Sequence, residues 1–288
     1  MKWIVLLCFI FQGAFCTLCA EQCRGITKAG TRCRRSVKTS QFCWQHKPAK
    51  MEQLLVTPGS DNLLLGIPGQ TDYLIDRDGY AVGYDIKHKQ PRWVTYKLTR
   101  EETQNVTVSR KVADFQEDTL LPKGRATLTD YRRSGYDRGH LACAGDMRQS
   151  RERMCDSFFL SNISPMNRDF NGGVWAKLED QVRTWSKTYG EVQVVTGPVL
   201  TITTDLPTIG ANAVTVPPSF YKVIYRSNPQ AKAIGFIIPN QPSTEPFKTF
   251  ARSIDEVERI TGLDFFSSLP DNIETVIEKN YQLSDWNL

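Results

Sequence analysis

The sequence has no internal repeat, no low-complexity tract and, after its first twenty residues, no stretch apolar enough to cross a bilayer. These absences exclude a repeat solenoid and a membrane-spanning helix after residue 20. Histidine is scarce, with only His46, His88 and His140 among 288 residues. Acidic residues are almost missing from the first fifty positions, where nine Lys/Arg face Glu21 alone, a net of +8. The whole chain is +5, so residues 51–288 are net −3. Any polyanion contact in that larger part must come from a local basic patch, because its net charge will not attract one.

What occupies the first fifty positions is a leader and a small cationic module. Lys2 and the mostly apolar run from Trp3 to Phe15 read as a secretory signal over residues 1–20, cut after Ala20. That reading predicts an exported protein, periplasmic or secreted, without a stable membrane span. Residues 21–50 form a Cys/His-rich module containing Cys23, Cys33, Cys43 and His46. Three thiolates and an imidazole, closed by Cys43-Trp44-Gln45-His46, suit a tetrahedral structural Zn²⁺ site. Disulfides are the competing reading, because exported thiols meet an oxidising compartment. The arginines and lysines of the module either grip phosphates or form a solvated basic face.

Residues 51–288 read as one domain with enough apolar residues for a sizeable core. Tyr73–Ile75 and Tyr80–Tyr84, around Asp76-Arg77-Asp78-Gly79, predict a β-hairpin. Trp93–Leu98 predicts a strand of alternating exposure, and Phe158–Leu160 a short buried one. Three further strands are expected at Val192–Val195, Phe220–Tyr225 and Ala233–Ile238. A helix is predicted from Gly172 to Tyr189, with Trp175, Leu178, Val182 and Trp185 at core spacing. Two more helices are predicted near Ser253–Thr261 and Ile273–Lys279. Strands separated by irregular loops, with helices gathered in two places, give the fold class α+β.

Chemistry concentrates in Asp137-Arg138-Gly139-His140 and the segment from Asn171 to Arg183. In a strand, residues 138 and 140 share a face, and Gly139 between them permits close backbone approach. An imidazole is partly neutral near physiological pH and can take a proton from water. A guanidinium holds a phosphate in a fixed fork. Asn171 offers a neutral oxygen to a hard cation, or else a cap to helix N–H groups. Glu179 lies eight residues on, just over two turns, where it either holds metal-bound water or is a solvated helix residue. Arg183, one turn further, suits an ion pair with Glu179 or a phosphate contact. His140 alone reads as a structural histidine; the set together reads as a site that cuts phosphodiesters.

In their order, Asp137-Arg138-Gly139-His140-Leu141-Ala142, Leu160-Ser161-Asn162-Ile163-Ser164-Pro165 and Asn171–Glu179 resemble the DRGH-type non-specific DNA/RNA endonucleases of the ββα-metal (His-Me finger) fold. The resemblance continues through Val195–Pro198, Pro218–Val223 and Thr261–Phe266, covering roughly residues 57–285. It implies a central, mainly antiparallel sheet flanked by helices. It also implies His140 as general base, Asn171 as direct Mg²⁺ ligand (Mn²⁺ substituting) and Glu179 as a holder of metal-bound water. Asn162 would position the His140 region or the metal shell, and Arg138 and Arg183 would contact the scissile phosphate. Lys97 is a weaker match to a phosphate contact. The implied reaction cuts DNA and RNA with little sequence preference, leaves 5′-phosphate ends, and leaves a homodimer open. Two rival classes are a nucleic-acid-binding protein that does not cut and a phosphodiesterase for small nucleotides, which needs a closed pocket.

One departure from the family pattern is Cys143, where proline is common. In an exported protein Cys143 and Cys155 are the natural disulfide pair, and closing that loop is worth about 3 kcal/mol in chain entropy.

Overall fold

Runs of β-branched and aromatic residues with a period of two make strands that can be covered on both faces. In the computed structural model, which describes residues 60–121, 124–201 and 205–288 together with short strands at 21–22, 36–37 and 53–55, these runs build one large sheet. Its strands come from Gln53–Leu55 (β1), Tyr73–Asp76 (β2), Ala81–Asp85 (β3) and Gln90–Thr99 (β4). After Asp137–His140 (β5) and Ile163–Met166 (β6), which pair only with each other, it continues with Glu191–Pro198 (β7) and Ser219–Arg226 (β8). Lys232–Pro239 (β9) and Ala251–Arg252 (β10) complete it. The spatial order is β10-β9-β8-β7-β4-β3-β2-β1, and every pairing is antiparallel except β1 with β2. This is the α+β arrangement expected from the sequence.

Alternation along the central strands divides the core in two. Val94, Tyr96, Val194, Phe220 and Ile224 face the long helix α1 (Ala176–Tyr189), where Leu178, Val182 and Trp185 are buried beside Trp175 of the preceding turn. Trp93, Val195, Tyr221 and Val223 face the other way, toward α2 (Ile254–Thr261) and α3 (Asp271–Lys279). With both faces covered, β4 is buried almost throughout, so the alternating exposure expected of it does not occur. The expected strand at Phe158–Leu160 is also absent. Phe159 makes a single bridge to Gln116, and the chain then turns through Leu160–Asn162.

The hairpin β5–β6 stands apart from the large sheet and feeds into α1, giving the ββα order. Its register sets Arg138 opposite Pro165 and His140 opposite Ile163. Asn167 begins the helical segment, its Oδ1 accepting from the N–H groups of Asp169 and Phe170. Asn240 clamps this junction, since its Oδ1 accepts from the Asn167 N–H at 2.7 Å and its Nδ2 donates to Pro165 O and Pro217 O. Contrary to the helix expected from Gly172 to Tyr189, the regular helix does not begin at Gly172. Asn171–Trp175 forms a wider π-type turn with non-helical dihedrals at Gly173, and regular α-helix starts at Ala176. Gly190, at φ 95°, ends α1 in a conformation suited to glycine. No helix among the described residues is long and apolar enough to cross a membrane.

Candidate active site

β5 delivers the two side chains that the period-two argument puts together. Arg138 lies over the Phe115 ring, with Cζ 4.2 Å from its centroid, and the His140 ring lies 5.2 Å from the same phenyl. His140 also meets Phe158 edge-on, with centroids 4.7 Å apart, and the two phenyl rings touch each other at 4.8 Å, so the three rings form one cluster. The imidazole is therefore 8% exposed, and its Nε2 is buried without a hydrogen-bond partner among the described residues. Burial, followed by the charges of Arg110 and Arg138, pushes its pKa from 6.5 down to about 3. His140 is thus a neutral imidazole throughout the physiological range. Gly139 is needed for a specific reason: a Cβ there would fall on the Met166 side chain, 2.8 Å from its Cβ.

Asn162 is fully buried and holds the segment after His140. Its Oδ1 accepts from the Ala142 N–H at 2.8 Å, and its Nδ2 donates to Ala142 O and Ser157 O. The Leu141 N–H donates to the Asn162 carbonyl. This arrangement positions the His140 strand, which is one of the two roles the resemblance offered.

Asn171 belongs to the π-type turn, and its side chain does not cap the helix N–H groups, since that of Asn167 does. Its Nδ2 donates to Asp137 Oδ2 at 3.3 Å, which ties the helix start to β5 and leaves Oδ1 as the outward acceptor. Asp137 Oδ1 also accepts from Arg168. A cleft of about 890 Å³ opens here, with Phe115, Arg138 and Asn171 on its wall.

Behind the cleft lies a polar cluster that the sequence only partly disclosed. Glu179 is half-buried, and desolvation raises its carboxyl from 4.5 to about 7, against the lowering effect of Lys222. The Cys143 thiol donates to Glu179 Oε2 at 3.2 Å. Burial and the neighbouring carboxylates push that thiol up, so it stays protonated. Arg183 pairs with the buried Asp146 at 2.7 Å and with Asp180, not with Glu179. Asp146 in turn accepts from the Tyr96 hydroxyl at 2.9 Å. Lys222 is completely buried, its Nζ 4.4 Å from the Trp175 ring centroid, and burial lowers its pKa while Glu179 raises it.

The residues of this site suit a hard divalent cation. The Asn171 amide oxygen and the Glu179 carboxylate are oxygen donors of the kind such a cation takes, and Cys143 beside Glu179 is a neutral thiol, not a thiolate.

Two site expectations are corrected. Cys143 and Cys155 are free thiols: Cys143 turns toward Glu179 and Arg183, while Cys155 Sγ lies 3.8 Å from Val112 O. Lys97 is not in the cleft. It points from the opposite face of β4 to Tyr96 and pairs with Asp61, because one residue of offset reverses the side of a strand. Lys222, Asp146, Phe115 and Phe158 were missed. Only Lys222 left a signal, as the lone charge inside the apolar run Phe220–Tyr225. Cys23, Cys33, Cys43 and His46, with the Zn²⁺ site expected of them, lie outside the described residues.

A model of the DNA/RNA non-specific endonuclease family matches residues 58–272. The chain is 35% identical to a protein named Nuclease from Syncephalastrum racemosum, over 77% of this chain and 76% of that one. It is 35% identical to Endonuclease G, mitochondrial, from Homo sapiens, over 71% and 72% respectively. Among solved structures, a complex of EndoG with EndoGI, titled as a mechanism of EndoG inhibition, superposes with a TM-score of 0.68. It is 36% identical and covers 73% of this chain and 91% of that one. These findings overturn the expected export, because relatives in several species are named as mitochondrial nucleases. A cationic residue followed by an apolar run marks a leader without specifying its destination.

Proposed function

Because the chain belongs to the DNA/RNA non-specific endonuclease family, we propose that it hydrolyses the backbone of both DNA and RNA with Mg²⁺, or Mn²⁺ in its place. The products carry 5′-phosphates, and the cutting shows little sequence preference. The observation that carries the reading is His140, kept neutral against the Phe115 and Phe158 rings, on the strand whose Arg138 lines the cleft together with Phe115 and Asn171.

With Nε2 buried, Nδ1 is the nitrogen that meets solvent, and it takes the proton of the attacking water. Arg138, exposed and aimed into the cleft, binds the non-bridging oxygens of the phosphate. Asn171 would hold the cation directly through Oδ1, and Glu179 would hold its water. When bound there, the cation supplies charge stabilisation to the leaving 3′ oxygen. Asn162 keeps the His140 strand in place, and Cys143 and Lys222 orient the Glu179 carboxylate. Arg183 has both terminal nitrogens in ion pairs, which supports a framing role for it more than a phosphate contact. The mitochondrial relatives support a mitochondrial location, which imaging of the full-length chain carrying a C-terminal tag would test.

The decisive experiment incubates the protein with plasmid DNA and with RNA, in Mg²⁺ or EDTA, beside His140→Ala. Activity should need the metal and fall by about 10²- to 10⁴-fold in the variant. The cut ends should accept labelled phosphate from a kinase only after phosphatase treatment. Metal-independent cutting, or a fully active variant, would remove the mechanism.

A further inference from the structure

Most arginines of the main domain are engaged by carboxylates or backbone carbonyls. Arg77, Arg125, Arg153, Arg183 and Arg252 have carboxylate partners, and Arg92, Arg100 and Arg226 donate to main-chain oxygens. The exposed cations around His140 differ. Arg110, Lys111, Arg132, Arg133 and Arg138 have no carboxylate within 4.0 Å among the described residues. An unpaired cation in a domain of net charge −3 is available to a ligand, and its position then says where the ligand runs.

These cations fall into two clefts that share one residue. The first is the 890 Å³ cleft, where Arg132 and Arg133 lie beyond Arg138. The second, of about 640 Å³, is lined by Lys111, Ala144, Gly145 and Arg148, whose Nε donates to Val108 O but whose guanidinium has no carboxylate within 4.0 Å among the described residues. Arg110 lines both, and its Cζ lies 5.1 Å from the centroid of Phe158, the ring packed on His140. The local sequence fixes this ridge: Ser109 accepts from the Lys111 N–H and starts a single 3₁₀ turn, Arg110–Val112, that presents Arg110 and Lys111 outward. Arg133, at φ 55°, belongs to the turn leading into β5, which projects Arg132 and Arg133 at the far end of the first cleft. The catalytic imidazole therefore lies near the ridge between two cationic troughs.

We propose that a polynucleotide strand runs through both clefts, with Arg132 and Arg133 binding phosphates on one side of the scissile position and Lys111 and Arg148 binding phosphates on the other. The inference deepens the nuclease reading and rests on it. It makes the preferred substrate a strand several nucleotides long and disfavours mono- and dinucleotides, which fill only the centre. Contacts made to phosphates carry no base information, so the track also accounts for indifference to sequence.

The test measures binding, so it does not depend on turnover. A fluorescently labelled 12-nucleotide single-stranded DNA is titrated with the full chain in EDTA, by anisotropy, over a series of salt concentrations. Removing one cation that holds a phosphate should lower the slope of log affinity against log salt by about 0.7, so Arg132→Gln/Arg133→Gln and Lys111→Gln/Arg148→Gln should each lower it by about 1.4. The Lys versions Arg132→Lys/Arg133→Lys and Arg148→Lys should keep the wild-type slope, which separates an effect of charge from an effect of misfolding. Arg259→Gln, exposed on α2 under the opposite face of the sheet, should also keep it. A slope unchanged in either double variant, or lowered equally by Arg259→Gln, overturns the two-sided track. If the wild type binds with the full slope but cuts nothing in Mg²⁺, the track stands and the nuclease reading falls.

Discussion

His140 carries an energetic liability together with its function. A histidine enclosed by two phenyl rings and two guanidinium groups cannot be charged without cost, so its folded pKa lies far below that of an exposed imidazole. Between pH 6.5 and about 3 the unfolded chain binds a proton that the folded chain refuses, and stability therefore declines as the pH falls through that window. Above 6.5 the contribution is fully present. His140→Asn should flatten this acid limb in denaturant titrations at a series of pH values, and an identical limb in the variant would mean that His140 is not so enclosed. Asn162 illustrates the complementary cost. Its amide satisfies three buried backbone groups, each worth about 1–3 kcal/mol if left unpaired. Glu179 and Lys222 show a third case, in which burial raises a carboxyl to about 7 and the charge of a buried lysine partly opposes that rise.

At the scale of elements, the hairpin β5–β6 and the helix after it are held together by close fits and amide clamps. Gly139 matters because Met166, on the partner strand, fills the space a side chain would need. Gly139→Ala should lower stability by about 1–3 kcal/mol through overpacking, and it should reduce kcat by shifting Arg138 and His140. Met166→Ala in the same chain should restore part of both, as thermal unfolding and plasmid cutting would measure. A double variant no better than the single one would show that the fit to Met166 is not the cause. Offsets of one residue also decide function in the large sheet. Tyr96 reaches Asp146 behind the cleft, while Lys97, its neighbour, emerges on the far face against Asp61.

Charge is a property of the whole molecule. The main domain is net −3, the first fifty residues are +8, and a group of main-domain cations without carboxylate partners lines the two clefts at the site. If residues 21–50 assist in gripping substrate, deleting residues 1–50 should leave a folded nuclease whose KM for long DNA rises several-fold at low ionic strength. The gap should close as salt is added, because surface charges more than about 10 Å apart are screened at 0.1 M. Equal KM values at low salt would assign the module another task.

The sequence by itself determined the fold class, the core spacing of Trp175, Leu178, Val182 and Trp185, and the shared face of Arg138 and His140. These follow from local periodicities, which survive translation into three dimensions. Only the tertiary structure decided what surrounds them. The rings enclosing His140, the thiol of Cys143 turned to Glu179 instead of Cys155, the pairing of Arg183 with Asp146 and the second cationic cleft come from segments distant in the chain. Burial and charge pairing are set by which elements pack together, and no spacing within one element encodes that.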